Sequence, residues 1–157
     1  MKTALVSLLL FAGLACGQTM DTRWQPFQFL IGKWDGGGTG QPGAGQGAFS
    51  FLPELNGQVL VRRSFNQLAS GPRHEDWMIV YSDGPKDAPR AIYFDSEGHA
   101  IHYAVTFPAK NAAVFESEAG QAGPKYRLSY VLDGKTLNGK FEVDGKTYLT
   151  WTAAKSE

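Results

Sequence analysis

Residues 29–40 read FLIGKWDGGGTG, and residues 48–51, beyond a glycine-rich stretch, read AFSF. A short apolar segment that leads into Gly-x-Trp at the start of a first strand is typical of small closed β-barrels. In such barrels the indole fills the floor, and glycine lets another part of the backbone pass close beside it. We therefore expect Trp34 at the closed end of a barrel with a ligand-sized interior.

The beginning of the chain is typical of a secretory signal peptide, which we assign to residues 1–17. Lys2 gives a basic start, residues 4–14 are mostly apolar, and small residues follow at a cleavage site. Such a segment is too short for a membrane-spanning helix. Cys16 leaves a second interpretation open, in which a lipid anchor is attached to the mature N terminus. In both cases we expect a secreted or periplasmic protein without a transmembrane segment.

The remaining residues, 18–157, are enough for a single domain with one sizeable core. The whole chain has 15 Lys and Arg against 15 Asp and Glu, so no strong electrostatic field is expected. Nucleic-acid binding is not predicted, because it depends on concentrated positive charge. Cys16 is the single cysteine, which excludes thiol catalysis and cysteine-based metal sites within residues 18–157.

Turn signals divide this domain into short strand-like segments. Asn-Gly at 56–57 and Asp-Gly at 133–134 and 144–145 are typical of two-residue hairpins, whose central residues both have positive φ. The sequence predicts ten strands, at 33–40, 46–55, 58–67, 74–82, 90–96, 99–107, 112–118, 125–132, 136–143 and 147–153. Consecutive hairpins favour an all-β, closed antiparallel up-and-down barrel, because closure removes both exposed edges. One short helical turn is expected at 24–31.

Three motifs resemble those of a family of bacterial lipocalin-like proteins. They are residues 29–34 with the glycines that follow, FSFLPELNG at 49–57, and YFDSEGH at 93–99. The resemblance extends over nearly all of residues 18–157 and implies a lipocalin-like or calycin-like barrel. The opening G-x-W-x-G at 32–36 is more distantly similar to that of nitrobindin, a ten-stranded heme-binding barrel.

The distant resemblance to nitrobindin implies a heme iron held by a histidine near the C-terminal strand. Residues 148–152 read YLTWT, and no histidine follows His102. Because the position of the iron ligand is unfilled, we predict that the protein binds no heme. No other cofactor is predicted.

Alternation of apolar and polar side chains predicts which residues face the interior. On several strands the large apolar side chains fall on one face, among them Tyr103, Tyr130 and Trp151. Arg63 shares a face with the apolar residues of 59–65, so we expect its guanidinium inside the lumen, where it would pair with a ligand carboxylate. The sequence thus predicts that Arg63, Tyr103, Tyr130 and Trp151 bind a small apolar or amphipathic molecule.

A structural role for the two neighbouring arginines stays open as an alternative. Arg62 or Arg63 would then form an internal ion pair with Asp76, Asp95 or Glu116, because buried charges are usually paired within the protein.

No catalytic motif such as Gly-x-Ser-x-Gly is present, and the three histidines show no metal-ligand spacing, so no metal site is predicted. We favour an exported binding protein over an enzyme. The alternative is a lumen-based enzyme, either a heme protein with a non-standard ligand or a hydrolase or isomerase that uses His74 and Asp76. A third hypothesis is a filled interior, with the function on the outer surface.

Overall fold

Ten antiparallel strands form the structure, a computed structural model that describes residues 22–40, 45–68, 71–84 and 87–156. A short 3₁₀ helix, Thr22–Phe27, precedes them. The strands are β1 (Gly32–Gly40), β2 (Gly45–Glu54), β3 (Val59–Leu68), β4 (His74–Tyr81), β5 (Arg90–Asp95), β6 (Ala100–Ala109), β7 (Ala112–Ser117), β8 (Tyr126–Asp133), β9 (Thr136–Val143) and β10 (Lys146–Lys155). Each predicted strand is present, with bounds within one or two residues of those expected.

The strands form a closed up-and-down barrel, which confirms the predicted fold class. Each strand pairs with the next along the chain, and β1 pairs with β10 to complete the ring. In the closing pair, Trp34 lies opposite Lys155 and Gly40 lies opposite Leu149. Among the ten described strands no sheet edge is left unpaired, because closure joins the first strand to the last.

Glycine at position 36 permits this closure. A Cβ added to Gly36 would lie 2.4 Å from the carbonyl oxygen of Thr152 and 2.9 Å from the Cβ of Ala153, both on β10. Any other residue would push the two strands apart. The glycine-rich start of the barrel therefore serves close strand approach.

One of the three predicted two-residue turns forms as expected, and the other two differ in their loop residues or length. Asp144 and Gly145, with φ of 50° and 75°, form the expected two-residue turn between β9 and β10. Between β8 and β9 the loop residues are 134–135, and Gly134 alone of this pair has positive φ, at 58°. The loop between β2 and β3 is longer, with positive φ at residues 55–57.

The 3₁₀ helix and the residues after it close one end of the barrel. Trp24, Phe27 and Leu30 are almost fully buried there. The Trp24 indole donates a hydrogen bond of 2.7 Å to the Gly57 carbonyl oxygen, and Trp34 donates one of 2.8 Å to that of Leu30. Trp34 thus lies at the closed end, as expected. Within the described residues, no helix has the length and apolar character needed to cross a membrane.

Candidate functional site

The two halves of the barrel interior differ in burial. Next to the 3₁₀ helix, the closed half is filled by side chains that are almost fully buried, including Trp34, Phe51, Leu60, Val80 and Leu137. Toward the opposite end, the strand register points another set of side chains inward, and these are only partly buried. This open half is defined by Ser64, Asn66, His74, Tyr93, Tyr126, Phe141, Leu149 and Trp151.

One side of the open half is apolar. Tyr126 on β8 stacks on Phe141 on β9 with ring centroids 5.9 Å apart and nearly parallel planes. Trp151 on β10 lies opposite Gly139, where an added Cβ would be 2.0 Å from the indole ring. Glycine therefore makes room for the inward-facing indole.

The outer surface beside Trp151 is concave. A groove of about 530 Å³ lies on the outer surface there, and Gly139 and Trp151 line it together with Ser129, Asn138 and Lys140. Trp151 therefore contributes to a surface groove as well as to the open half of the interior.

The opposite side of the interior contains a buried ion pair. Arg62 on β3 and Asp76 on β4 are 6% and 4% exposed, and Arg62 donates a hydrogen bond to the Asp76 carboxylate. A second guanidinium nitrogen donates to the Ser64 hydroxyl at 3.1 Å. Burial opposes the charge on Arg62, but the Asp76 carboxylate together with Tyr130 and Tyr93 outweighs burial and raises the pKa of Arg62. The Arg62 guanidinium therefore stays charged in its ion pair with Asp76.

Arg63 faces the outside, so the prediction that it lies in the lumen is wrong. Its neighbour Arg62 lies between Phe51 and Met78, which are both fully buried, and successive side chains on a strand point to opposite faces. Arg63 instead forms an exposed ion pair with Glu54. The alternative of an internal ion pair is confirmed, with Arg62 as the cation.

His74 lies at the polar side of the mouth with both ring nitrogens engaged. Its Nε2 is 3.2 Å from the Tyr93 hydroxyl and 3.7 Å from the Asp76 carboxylate, and its Nδ1 is 3.1 Å from the Glu97 carboxylate. His74 and Asp76 do come together, as the enzyme hypothesis requires. However, neither imidazole nitrogen is left to exchange a proton with a ligand.

The polar contacts continue to the outer rim through Asp95. Tyr93 donates a hydrogen bond of 3.2 Å to the Asp95 carboxylate, which also lies 2.8 Å from Nδ1 of His99. Burial acts to raise the pKa of Asp95, but hydrogen bonds from His99 and from the Glu97 backbone outweigh it and lower the pKa. Burial raises the pKa of Tyr93, which stays a neutral donor. Within the described ranges, no three His, Cys, Asp or Glu residues are grouped to hold a metal ion.

Tyr103 and Tyr130 form the floor between the two halves. Tyr103 meets the Tyr93 ring edge to face at 6.4 Å, and Tyr130 meets Trp151 at 5.7 Å. Both point inward, as expected, but both are almost completely buried. Burial raises the pKa of Tyr130 to about 12, although nearby Arg62 acts against it. Among the described residues, neither the Tyr130 hydroxyl nor Nε of Arg62 has a hydrogen-bond partner of good geometry.

Sequence reasoning kept Arg62 only as an alternative to Arg63 for the inward position, and it missed the contacts of His74 with Tyr93. The sequence does contain a signal for the position of Arg62. Asp76 shares the face of β4 that carries the buried residues Met78 and Val80. A buried carboxylate needs an inward cation on a neighbouring strand. For the contacts of His74 with Tyr93, the residues come from separate strands and no local pattern joins them.

Comparisons with known proteins identify no family. No family model matches the chain, and no curated protein matches it. Among solved structures it is similar to a de novo designed fluorescence-activating β-barrel, at 14% identity over 84% of this chain and 98% of that chain, with a TM-score of 0.46. It is also similar to a redesigned β-barrel, at 15% identity over 85% of this chain and 96% of that chain, with a TM-score of 0.45. A third similar structure, solved bound to DFHBI, has 14% identity over 86% of this chain and 100% of that chain, with a TM-score of 0.43. Similarity at this level carries no argument about function, which rests on the geometry of the site.

Proposed function

We propose that the protein binds a small apolar or amphipathic molecule in the open half of the barrel. The observation that carries this proposal is the difference in burial between the two halves. Side chains fill the closed half, whereas the inward-facing residues of the open half keep part of their surface accessible. A partly accessible interior lined by aromatic rings and a few polar groups is typical of small-molecule sites.

The two sides of the open half suit different parts of such a ligand. Its apolar part would lie against the stacked Tyr126 and Phe141 rings, where burial is worth about 25 cal/mol per Å². Its polar end would meet the Ser64 hydroxyl and the polar contacts around His74. Tyr103 and Tyr130 form the floor of the open half, so they would contact the inner end of the ligand and not its sides.

A neutral polar group fits this site better than a carboxylate. The cation that faces inward, Arg62, is already paired with Asp76, and Arg63 points away. A second carboxylate near this pair would be repelled by Asp76, which offsets its attraction to Arg62. An alcohol, an amide or a ketone would need no extra charge.

The enzyme alternative receives less support from the same geometry. His74 is the one imidazole of the open half among the described residues, and Tyr93 and Glu97 occupy its two nitrogens. The arrangement stabilises the polar wall of the site and leaves no free general base.

We also propose that the chain is exported and that it belongs with the lipocalin-like barrels. Export is supported by the signal-peptide pattern at residues 1–17. These residues, which include Cys16, lie outside the described part of the chain. Support for the family is the set of three sequence motifs, which agree with the closed barrel topology.

Fluorescence titration with N-phenyl-1-naphthylamine, a neutral amphipathic probe, tests the binding proposal. We expect saturable binding that decanol displaces. Replacing Phe141 by Ala removes apolar surface inside the open half, so we expect at least about tenfold weaker binding, equal to about 1.4 kcal/mol.

Phe94→Ala is the matched control, because Phe94 is 45% exposed on the outer surface and should leave the affinity unchanged. Circular dichroism verifies that both variants keep the barrel. The absence of saturable binding to the wild-type protein, or an equal loss in both variants, would refute the proposal.

A further inference from the structure

The outer surface of β2 to β5 carries a contiguous apolar patch. We call it the outer patch, and it consists of Leu52, Val61, Phe65, Trp77, Ile79, Ile92 and Phe94. The register places these side chains in neighbouring rows, with Trp77 opposite Phe94 and Ile79 opposite both Val61 and Ile92. Trp77 and Phe94 are 54% and 45% exposed, whereas Val61, at 6%, lies beneath its neighbours in the patch. A contiguous exposed apolar surface on a small protein is typical of an interaction site.

A groove borders the outer patch on the side of β1 and β2. It has a volume of about 350 Å³ and is lined by Phe65 and Trp77 of the patch, by Arg63 and Arg73, and by polar and charged residues of β1, β2 and β4. The Arg73 guanidinium lies 3.8 Å from the centre of the Phe65 ring, and that of Arg63 lies 5.0 Å from the Trp77 ring. Phe94 projects from the strand beside Trp77. One face of the molecule therefore carries both an exposed ring and a groove of a size to receive one.

The charges around the outer patch are balanced. Arg63 is paired with Glu54, and Arg73 is paired with Glu75 at 2.8 Å. The whole chain also has a formal net charge of zero. Such a surface has little attraction for an anionic membrane or a nucleic acid, and it does not repel another molecule of the same protein.

We propose that the outer patch joins two copies of this chain in a symmetric dimer. In a twofold arrangement each surface meets its own counterpart, so a projecting group and its groove must lie on the same face. Phe94 of each copy would enter the groove between Phe65 and Trp77 of the other. The aromatic residues would form the apolar centre of the interface, and the paired arginines its polar rim.

This interface does not depend on the ligand site. The outer patch lies on the side wall of the barrel, whereas the open half is entered from the end. A dimer of this kind leaves both mouths accessible. A stable one buries about 800 Å² on each partner, so the seven apolar residues would need the stems of Arg63 and Arg73 around them.

Sedimentation velocity of the purified protein, from about 1 to about 100 μM, tests the proposal. We expect the wild-type protein to sediment as a dimer at the upper end. Phe94→Lys removes the projecting ring and places a charge in the apolar centre of the interface, so we expect the dimer dissociation constant to rise at least about tenfold. Val131→Lys is the matched control, because Val131 is 43% exposed on β8, outside the outer patch, and its dimer should persist.

Three results would overturn the dimer. They are a wild-type protein that is monomeric over the whole range, a Phe94→Lys variant that dimerises like the wild type, and a Val131→Lys variant that dissociates equally. Flotation with neutral phosphatidylcholine vesicles distinguishes a dimer interface from a membrane-binding surface. A monomer that floats with the vesicles would assign the outer patch to a membrane surface instead. Urea unfolding of both variants verifies that their barrels are intact.

Discussion

Replacing Arg62 by Met removes the cation beside the buried Asp76 carboxylate and keeps an apolar side chain of similar length. Both residues are less than a tenth exposed, so water cannot replace the lost partner. Breaking a buried ion pair from one side costs about 3–5 kcal/mol. The free energy of unfolding of a domain is about 5–15 kcal/mol, so the variant would lose about a fifth or more of its stability.

Urea unfolding followed by tryptophan fluorescence and circular dichroism measures this loss. With a urea dependence of about 2 kcal/mol per M, the midpoint should fall by about 2 M. Arg63→Met is the matched control, because its ion pair with Glu54 is exposed and exposed pairs contribute little.

A double variant, Arg62→Met with Asp76→Leu, separates the cost of the orphaned carboxylate from the loss of the pair. It should recover most of the stability, since replacing both charges of a buried pair by apolar groups is often close to neutral. Equal midpoints for Arg62→Met and Arg63→Met would refute the assignment of Arg62 as the structural cation.

Three further predictions follow from the site. Burial raises the pKa of Tyr93, Tyr103 and Tyr130, so stability should fall as the pH rises above about 10, and ultraviolet difference spectra should show these tyrosines ionising only on unfolding. The lowered pKa of Asp95 contributes stability above the unfolded value of about 4 that is lost as the pH falls through the folded one, so Asp95→Asn should flatten the acid dependence of the urea midpoint. Hemin titration should give no sharp Soret band at one equivalent, because no histidine follows His102; a band that disappears in His102→Ala would contradict this.

The fold could be predicted well from the sequence, because strands and turns are decided by local chemistry. Asp-Gly at 144–145 forms the two-residue turn that its positive-φ residues favour. On β8, polar residues alternate with Leu128 and Tyr130, so the inward face is unambiguous. The same holds for Trp151 on β10.

The face of β3 could not be predicted in this way, because both of its faces carry apolar side chains. Leu60 points inward, whereas Val61 and Phe65 belong to the outer patch. Alternation identifies the interior only where the outside is polar. The choice between Arg62 and Arg63 depends on the strands on either side, and that information is not local.

The meeting of β1 with β10 also determines how the barrel is presented to its surroundings. Ser156 donates a hydrogen bond of 2.6 Å to the Asp35 carboxylate, and its backbone N–H donates one of 2.9 Å to the Lys33 carbonyl oxygen. Residues 22 and 156 therefore both lie near the end that the 3₁₀ helix closes. A tether at either end of the described chain, whether a lipid or a surface-coupling tag, would hold the barrel by its base and turn its mouth toward the solvent.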